Sequence, residues 1–85
     1  MELQEKEEAI ELMEEILDDR AVPKNIRQII EEAKAKIKKE TNSLNITTAI
    51  YMLDDICNDI NMPSHTKTDL WQIISLLEAM NEKMK

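Results

Sequence analysis

Asp18-Asp19-Arg20-Ala21-Val22-Pro23 and Asn58-Asp59-Ile60-Asn61-Met62-Pro63 stand 40 residues apart and follow one plan. Each closes a stretch of periodic apolar residues, and each sets an aspartate four residues ahead of a proline. Proline suits the first turn of a helix, because its missing N–H would be unpaired there anyway. It also drives the residue before it out of helical geometry. An aspartate carboxylate can accept hydrogen bonds from backbone N–H groups in a turn. Both stretches therefore read as tight links between helices, with Asp19, Val22, Pro23, Asp59, Met62 and Pro63 as turn residues. Val22 and Met62 are expected to plug each link against the core.

Four helices follow on either side of these links. The first is expected from about Glu2 to Leu17, with Leu3, Ile10, Met13 and Leu17 on one face and Ala9 and Ile16 beside it. The second runs from about Lys24 to Glu40. Its narrow stripe of Ile26, Ile29, Ile30, Ala33 and Ile37 predicts an outer helix with one face on the core. The polar break Thr41-Asn42-Ser43-Leu44-Asn45 offers Ser43 and Asn45 as N-caps. The third helix spans roughly Ile46 to Asp59, its stripe made by Ile46, Ala49, Ile50, Leu53, Ile56, Cys57 and Ile60. The fourth starts at Pro63 and reaches about Glu82. Trp71 and Leu76 widen its stripe of Leu70, Ile73, Ile74, Leu77 and Met80. A helix so broadly apolar is expected to be central or covered by a second chain.

Sliding the sequence by 40 residues places Ala9, Ile10, Ile16, Asp19 and Pro23 on Ala49, Ile50, Ile56, Asp59 and Pro63 without a gap. Ten of the fourteen apolar positions in 9–37 fall on apolar positions in 49–77, which keeps the helical phase of the two halves aligned. The expected fold is all-α: a four-helix bundle of two αα-hairpins, about 2–40 and about 45–84, related by an internal 40-residue repeat within one domain spanning 1–85. The period lies near that of HEAT-type repeats, but two hairpins are too few for a solenoid.

Composition agrees with this fold and bounds the function. The chain has no glycine and two aromatics, Tyr51 and Trp71, so the usual materials of sheets and tight hairpins are missing. Eighty-five residues enclose a thin core. A lone Cys57 excludes an internal disulfide, which favours self-association as the supplement small domains need. The acidic N-terminus is unlike a signal peptide, and no apolar run is long enough to span a bilayer, so a cytoplasmic protein is expected. The net charge of −7 disfavours non-specific nucleic-acid binding. Residues 1–20 hold nine acids and two bases, whereas 24–40 hold six bases and three acids. Lys34, Lys36, Lys38 and Lys39 form a local basic patch, which also suits the negative end of a helix dipole.

The second link resembles a known signature. Asn58-Asp59-x-Asn61-Met62-Pro63-x-His65 followed by Thr68-x-x-Trp71 is similar to the motif of uncharacterised protein family 0147, a small and mostly archaeal group. Val22-Pro23-x-Asn25-Ile26-Arg27 resembles the family's first turn. Ile60 stands where the family is expected to carry proline, and Lys67 where it carries arginine. The resemblance covers nearly the whole chain. It implies a four-helical fold and no activity.

Reactive residues are few. His65 has Asp69 one helical turn later and Ser64 beside it; the spacing allows a His–Asp contact on the helix surface but supplies no nucleophile activated by a base, so His65 reads as a solvated or capping residue. Cys57 on an apolar stripe reads as a small buried hydrophobe. Asp18, Asp19, Asp54, Asp55 and Asp59 lie in or near links too short for a calcium loop, so no metal and no cofactor are expected. Tyr51, Met52, Trp71 and Leu76 lie off the main stripes and are the candidate interface. The leading expectation is a non-enzymatic interaction module, a homodimer meeting through its third and fourth helices. The alternative is an accessory factor of an RNA or protein machine contacting it through the lysine patch. An enzyme built on His65, Asp59 or Cys57 is the third.

Overall fold

Described over residues 4–83 by a computed structural model, the protein forms four helices, and no strand occurs among the described residues. They are α1 (Gln4–Leu17), α2 (Lys24–Lys39), α3 (Ser43–Ile56) and α4 (Ser64–Lys83). Glu2 and Leu3, placed in the first helix by the sequence, and Met84, within the expected span of the second hairpin, lie outside the described residues.

The two links are built alike. Asp19 Oδ1 accepts from the Ala21 N–H at 2.9 Å, and Asp59 Oδ1 accepts from the Asn61 N–H at 2.8 Å. The backbone N–H groups of Val22 and Met62 donate to the Asp19 and Asp59 carbonyls, each at 3.2 Å. Val22 and Met62 are buried. Pro23 stands just ahead of the expected start at Lys24. It is the N-cap of α2, with ψ of 150°, and its carbonyl accepts the first helical bond, from Arg27 N at 3.1 Å. Pro63 holds the same place before α4, accepting from Lys67 N at 3.1 Å.

The break between α2 and α3 uses a different cap from the one expected. Asn42 is the N-cap of α3, its side-chain oxygen accepting from Asn45 N at 2.8 Å, while Ser43 and Asn45 already belong to the helix. Asn45 donates its side-chain amide to the carbonyls of Lys36 at 3.2 Å and Glu40 at 2.8 Å. A helix leaves its last carbonyls short of internal partners, and Asn45 adds a second donor to each of these two, which already accept from the Glu40 and Asn42 N–H groups.

Each helix touches two others. α1 lies on α2 and α4, α3 lies on α2 and α4, and the diagonal pairs do not meet. α4 is thus one corner of a square and not a central helix; its breadth of apolar surface faces two neighbours and then solvent. One core cluster joins all four helices and both links. Every helix contributes to it fully buried side chains, Met13 from α1, Ile30 and Ile37 from α2, Ile46 and Leu53 from α3, and Ile73 and Leu77 from α4. Ile10, Leu17, Ile29, Ile50, Cys57 and Ile74 are only half-buried at its margin. Ile60 leaves the stripe altogether. α3 ends at Ile56, so Ile60 stands at the tip of the link, 92% exposed.

Candidate functional site

Helical phase sorts the candidate interface residues onto different sides. At about 100° per residue, Tyr51 and Met52 cannot share a face. Tyr51 lines an open groove between α3 and α4 with Thr47, Ile50, Glu78, Asn81 and Glu82. Trp71 lies seven residues before Glu78 on α4, two turns along the same stripe. Tyr51 and Trp71 therefore border one outer face, and they are 70% and 61% exposed. Met52 and Leu76 do not join them. Both are half-buried and packed against the core, which is wider than the sequence stripes indicated.

Leu44, 74% exposed in the first turn of α3, belongs to the Tyr51 stripe, seven residues before it. It escaped the sequence reading because it lay in what was taken for a loop. Ile50, which lines the groove, and Ile74 on α4 are half-buried. The face carries acids as well: Asp54 on α3 and Glu78 on α4 are exposed. Ser43 Oγ donates to Asn81 Oδ1 at 2.8 Å and closes the groove at the start of α3.

The lysine patch is divided by the same geometry. Lys36 and Lys39 lie well around α2 from Lys34 and Lys38. Lys34 is 3.7 Å from Glu14 of α1, and Lys36, Lys38 and Lys39 are exposed in the last turn of α2.

His65 is held across the bundle and not by its own helix. Its Nε2 lies 2.7 Å from Asp19 Oδ2, so its acidic partner is in the first link and not Asp69, the contact that spacing along the helix would allow. Spacing along one helix gave no sign of this, because the partner is 46 residues away. The bond from His65, then the Ala21 N–H, lowers the Asp19 carboxyl from its ordinary range. At the opposite end of the same helix pair, Lys83 Nζ donates to Glu5 Oε2 at 2.6 Å and lowers the Glu5 carboxyl. Cys57 is half-buried at the end of α3. Burial pushes its thiol up, the Asp54 charge adds to this, and Lys67 opposes it. A raised thiol is a poor nucleophile.

Among the described residues, no three of His, Cys, Asp and Glu come together as a metal site. No helix among them is long and apolar enough to cross a membrane. Two further open grooves are lined mainly by charged side chains: Lys24, Arg27 and Glu31 with Leu17 and Gln28 in one, Glu8, Glu11 and Glu15 with Leu12 and Gln72 in another.

Comparison with known proteins points to one group. A family model described as an uncharacterised protein family (UPF0147) matches residues 2–80. A UPF0147 protein of Thermoplasma acidophilum is 43% identical over 77 residues, covering 88% of each chain. One of Methanocaldococcus jannaschii is 46% identical over 71 residues, covering 81% of this chain and 76% of that one. A solved crystal structure of a family protein from Thermoplasma acidophilum superposes with a TM-score of 0.80 at 42% identity, covering 87% of this chain and 89% of the other.

Proposed function

The chain belongs to the uncharacterised protein family UPF0147, and on that footing we propose that it is a non-enzymatic helical interaction module that self-associates through the outer face of α3 and α4. The observation that carries this is the pair Tyr51 and Trp71, both well exposed on one face. Aromatic side chains are enriched at protein interfaces, and a contiguous exposed apolar patch marks a contact site more often than an idle surface.

An internal duplication of the α1–α2 and α3–α4 units belongs to this proposal. Residues 9–35 and 49–75 run through buried, half-buried and exposed classes in the same order at every position. Against that common interior the surfaces diverge. Leu44, Tyr51, Trp71 and Ile74 stand where the first unit carries Gln4, Glu11, Glu31 and Lys34. A fold needs the shared positions. It does not need four apolar residues on an outer face that its own counterpart fills with polar ones.

A cytoplasmic, non-catalytic role fits the remaining groups. Cys57 is a single half-buried thiol, suited to a reducing compartment. His65 is engaged by Asp19. Contact with an RNA or protein machine through Lys34, Lys36, Lys38 and Lys39 has less support, because the four lysines point to different sides and Lys34 faces Glu14.

Sedimentation equilibrium tests the proposal. Trp71→Ala should weaken self-association at least tenfold while costing the monomer under about 1 kcal/mol, since an exposed side chain buries little on folding. Identical masses for wild type and variant at every concentration would defeat it.

A further inference from the structure

Resting on the reading of α3 and α4 as the contact face, we propose that the second copy docks antiparallel along α4, about a two-fold axis passing between Trp71 and Ile74. The outer stripe of α4 reads Lys67, Trp71, Ile74 and Glu78, at the i, i+4, i+7, i+11 spacing of one helix face. It is basic at one end, apolar in the middle and acidic at the other. Neither Lys67 nor Glu78 belongs to an ion pair among the described residues.

A two-fold interface must be complementary to itself. A stripe of opposite end charges meets that condition only when two copies run antiparallel. Lys67 then faces the partner's Glu78, and Trp71 faces the partner's Ile74, in one register. Parallel docking would set each charge against its own copy. Docking centred on α3 would bring Asp54 and Asp55 of both copies to one seam, with no base among Ser43–Ile56 to pair with any of them. A side of 36 by 20 Å sets an upper bound of roughly 700 Å² on such a contact, which lies inside the range of about 600–1,000 Å² per partner in stable dimers, so most of the α3–α4 side would have to take part.

Charge exchange and cross-linking test the register on the full chain. Lys67→Glu and Glu78→Lys should each weaken the dimer about tenfold, and the double exchange should return it to within about threefold of wild type. In a Cys57→Ser background, Lys67→Cys combined with Glu78→Cys should oxidise to a covalent dimer, and neither cysteine alone should do so. Eleven residues of helix hold positions 67 and 78 about 16 Å apart within one chain, well beyond the roughly 7 Å a disulfide spans. A wild-type chain that stays monomeric at millimolar concentration overturns both the self-association and the register. A dimer that Trp71→Ala dissociates but that ignores charge exchange and fails to cross-link overturns the register alone.

Discussion

Thr66 is the buried residue whose chemistry fits its place least well. It is 1% exposed, and its hydroxyl has no hydrogen-bond partner. A threonine in a helix can bond back to the carbonyl one turn earlier, as Thr48 does to Leu44 at 2.8 Å, but Thr66 does not. Forty residues earlier the same position is Ile26, fully buried. Stranding a hydroxyl costs about 1–3 kcal/mol, and valine matches threonine in shape and nearly in helix propensity. Thr66→Val should therefore stabilise the protein by about 1 kcal/mol and raise its melting temperature by about 4–8 °C. Thermal unfolding followed by circular dichroism reads this directly; a lower melting temperature would mean that the hydroxyl is bonded. Sequence revealed the residues whose work is local. Asp19 and Asp59 serve backbone groups two residues away, so composition and spacing suffice to find them. His65 works over 46 residues, and only the packing of α4 on α1 brings Asp19 within its reach.

At the scale of elements, the junction of α2 and α3 shows how a correct list of polar residues can carry a wrong assignment of roles. Asn45 was a sound candidate for the cap by type, yet it sits three residues inside, giving its N–H to Asn42 and its side-chain amide to the last turn of α2. An N-cap is defined by where the backbone leaves the extended region, and Asn42, with φ −130° and ψ 169°, is that residue. Propensity alone does not separate asparagines three positions apart. Asn42→Ala should cost about 1 kcal/mol, while Asn42→Asp or Asn42→Ser should cost little, because either oxygen can accept the same N–H. Urea unfolding of the three variants distinguishes loss of a cap from a general intolerance of the site: equal losses in all three would show that the oxygen is not what matters. The exposed edge of α3 was misread for the same reason. Starting the helix at Ile46 left Leu44 in a loop, and only the earlier start at Ser43 aligns it with Tyr51.

For the molecule as a whole, helix number and the boundaries at the first link were legible in the sequence, whereas the two ends of α3 and the square arrangement were not. Apolar breadth left α4 as either central or covered by a second chain, because breadth on one helix says how much surface wants covering and not what covers it. The square has a consequence for the proposed duplication. A shift of 40 residues turns the α1–α4 contact into the α3–α2 contact, and both are present while the diagonals are empty. The α3–α4 unit thus meets the first unit through surfaces that a second copy of itself could in principle offer. Alone, that unit would leave Ile46, Leu53, Leu70, Ile73 and Leu77 half uncovered, and two helices of 14 and 20 residues hold little structure without tertiary contacts. A peptide of residues 41–85 should accordingly be poorly helical when dilute and gain helix on pairing, with ellipticity rising with concentration and a sedimenting mass near twice that of the peptide. Thr66 opposes this, since pairing would bury two unpartnered hydroxyls; Thr66→Ile, which installs the residue found at position 26, should strengthen the pairing by about tenfold or more. A peptide whose helicity is independent of concentration, with and without Thr66→Ile, would mean that the two units share a pattern of burial without being interchangeable in packing.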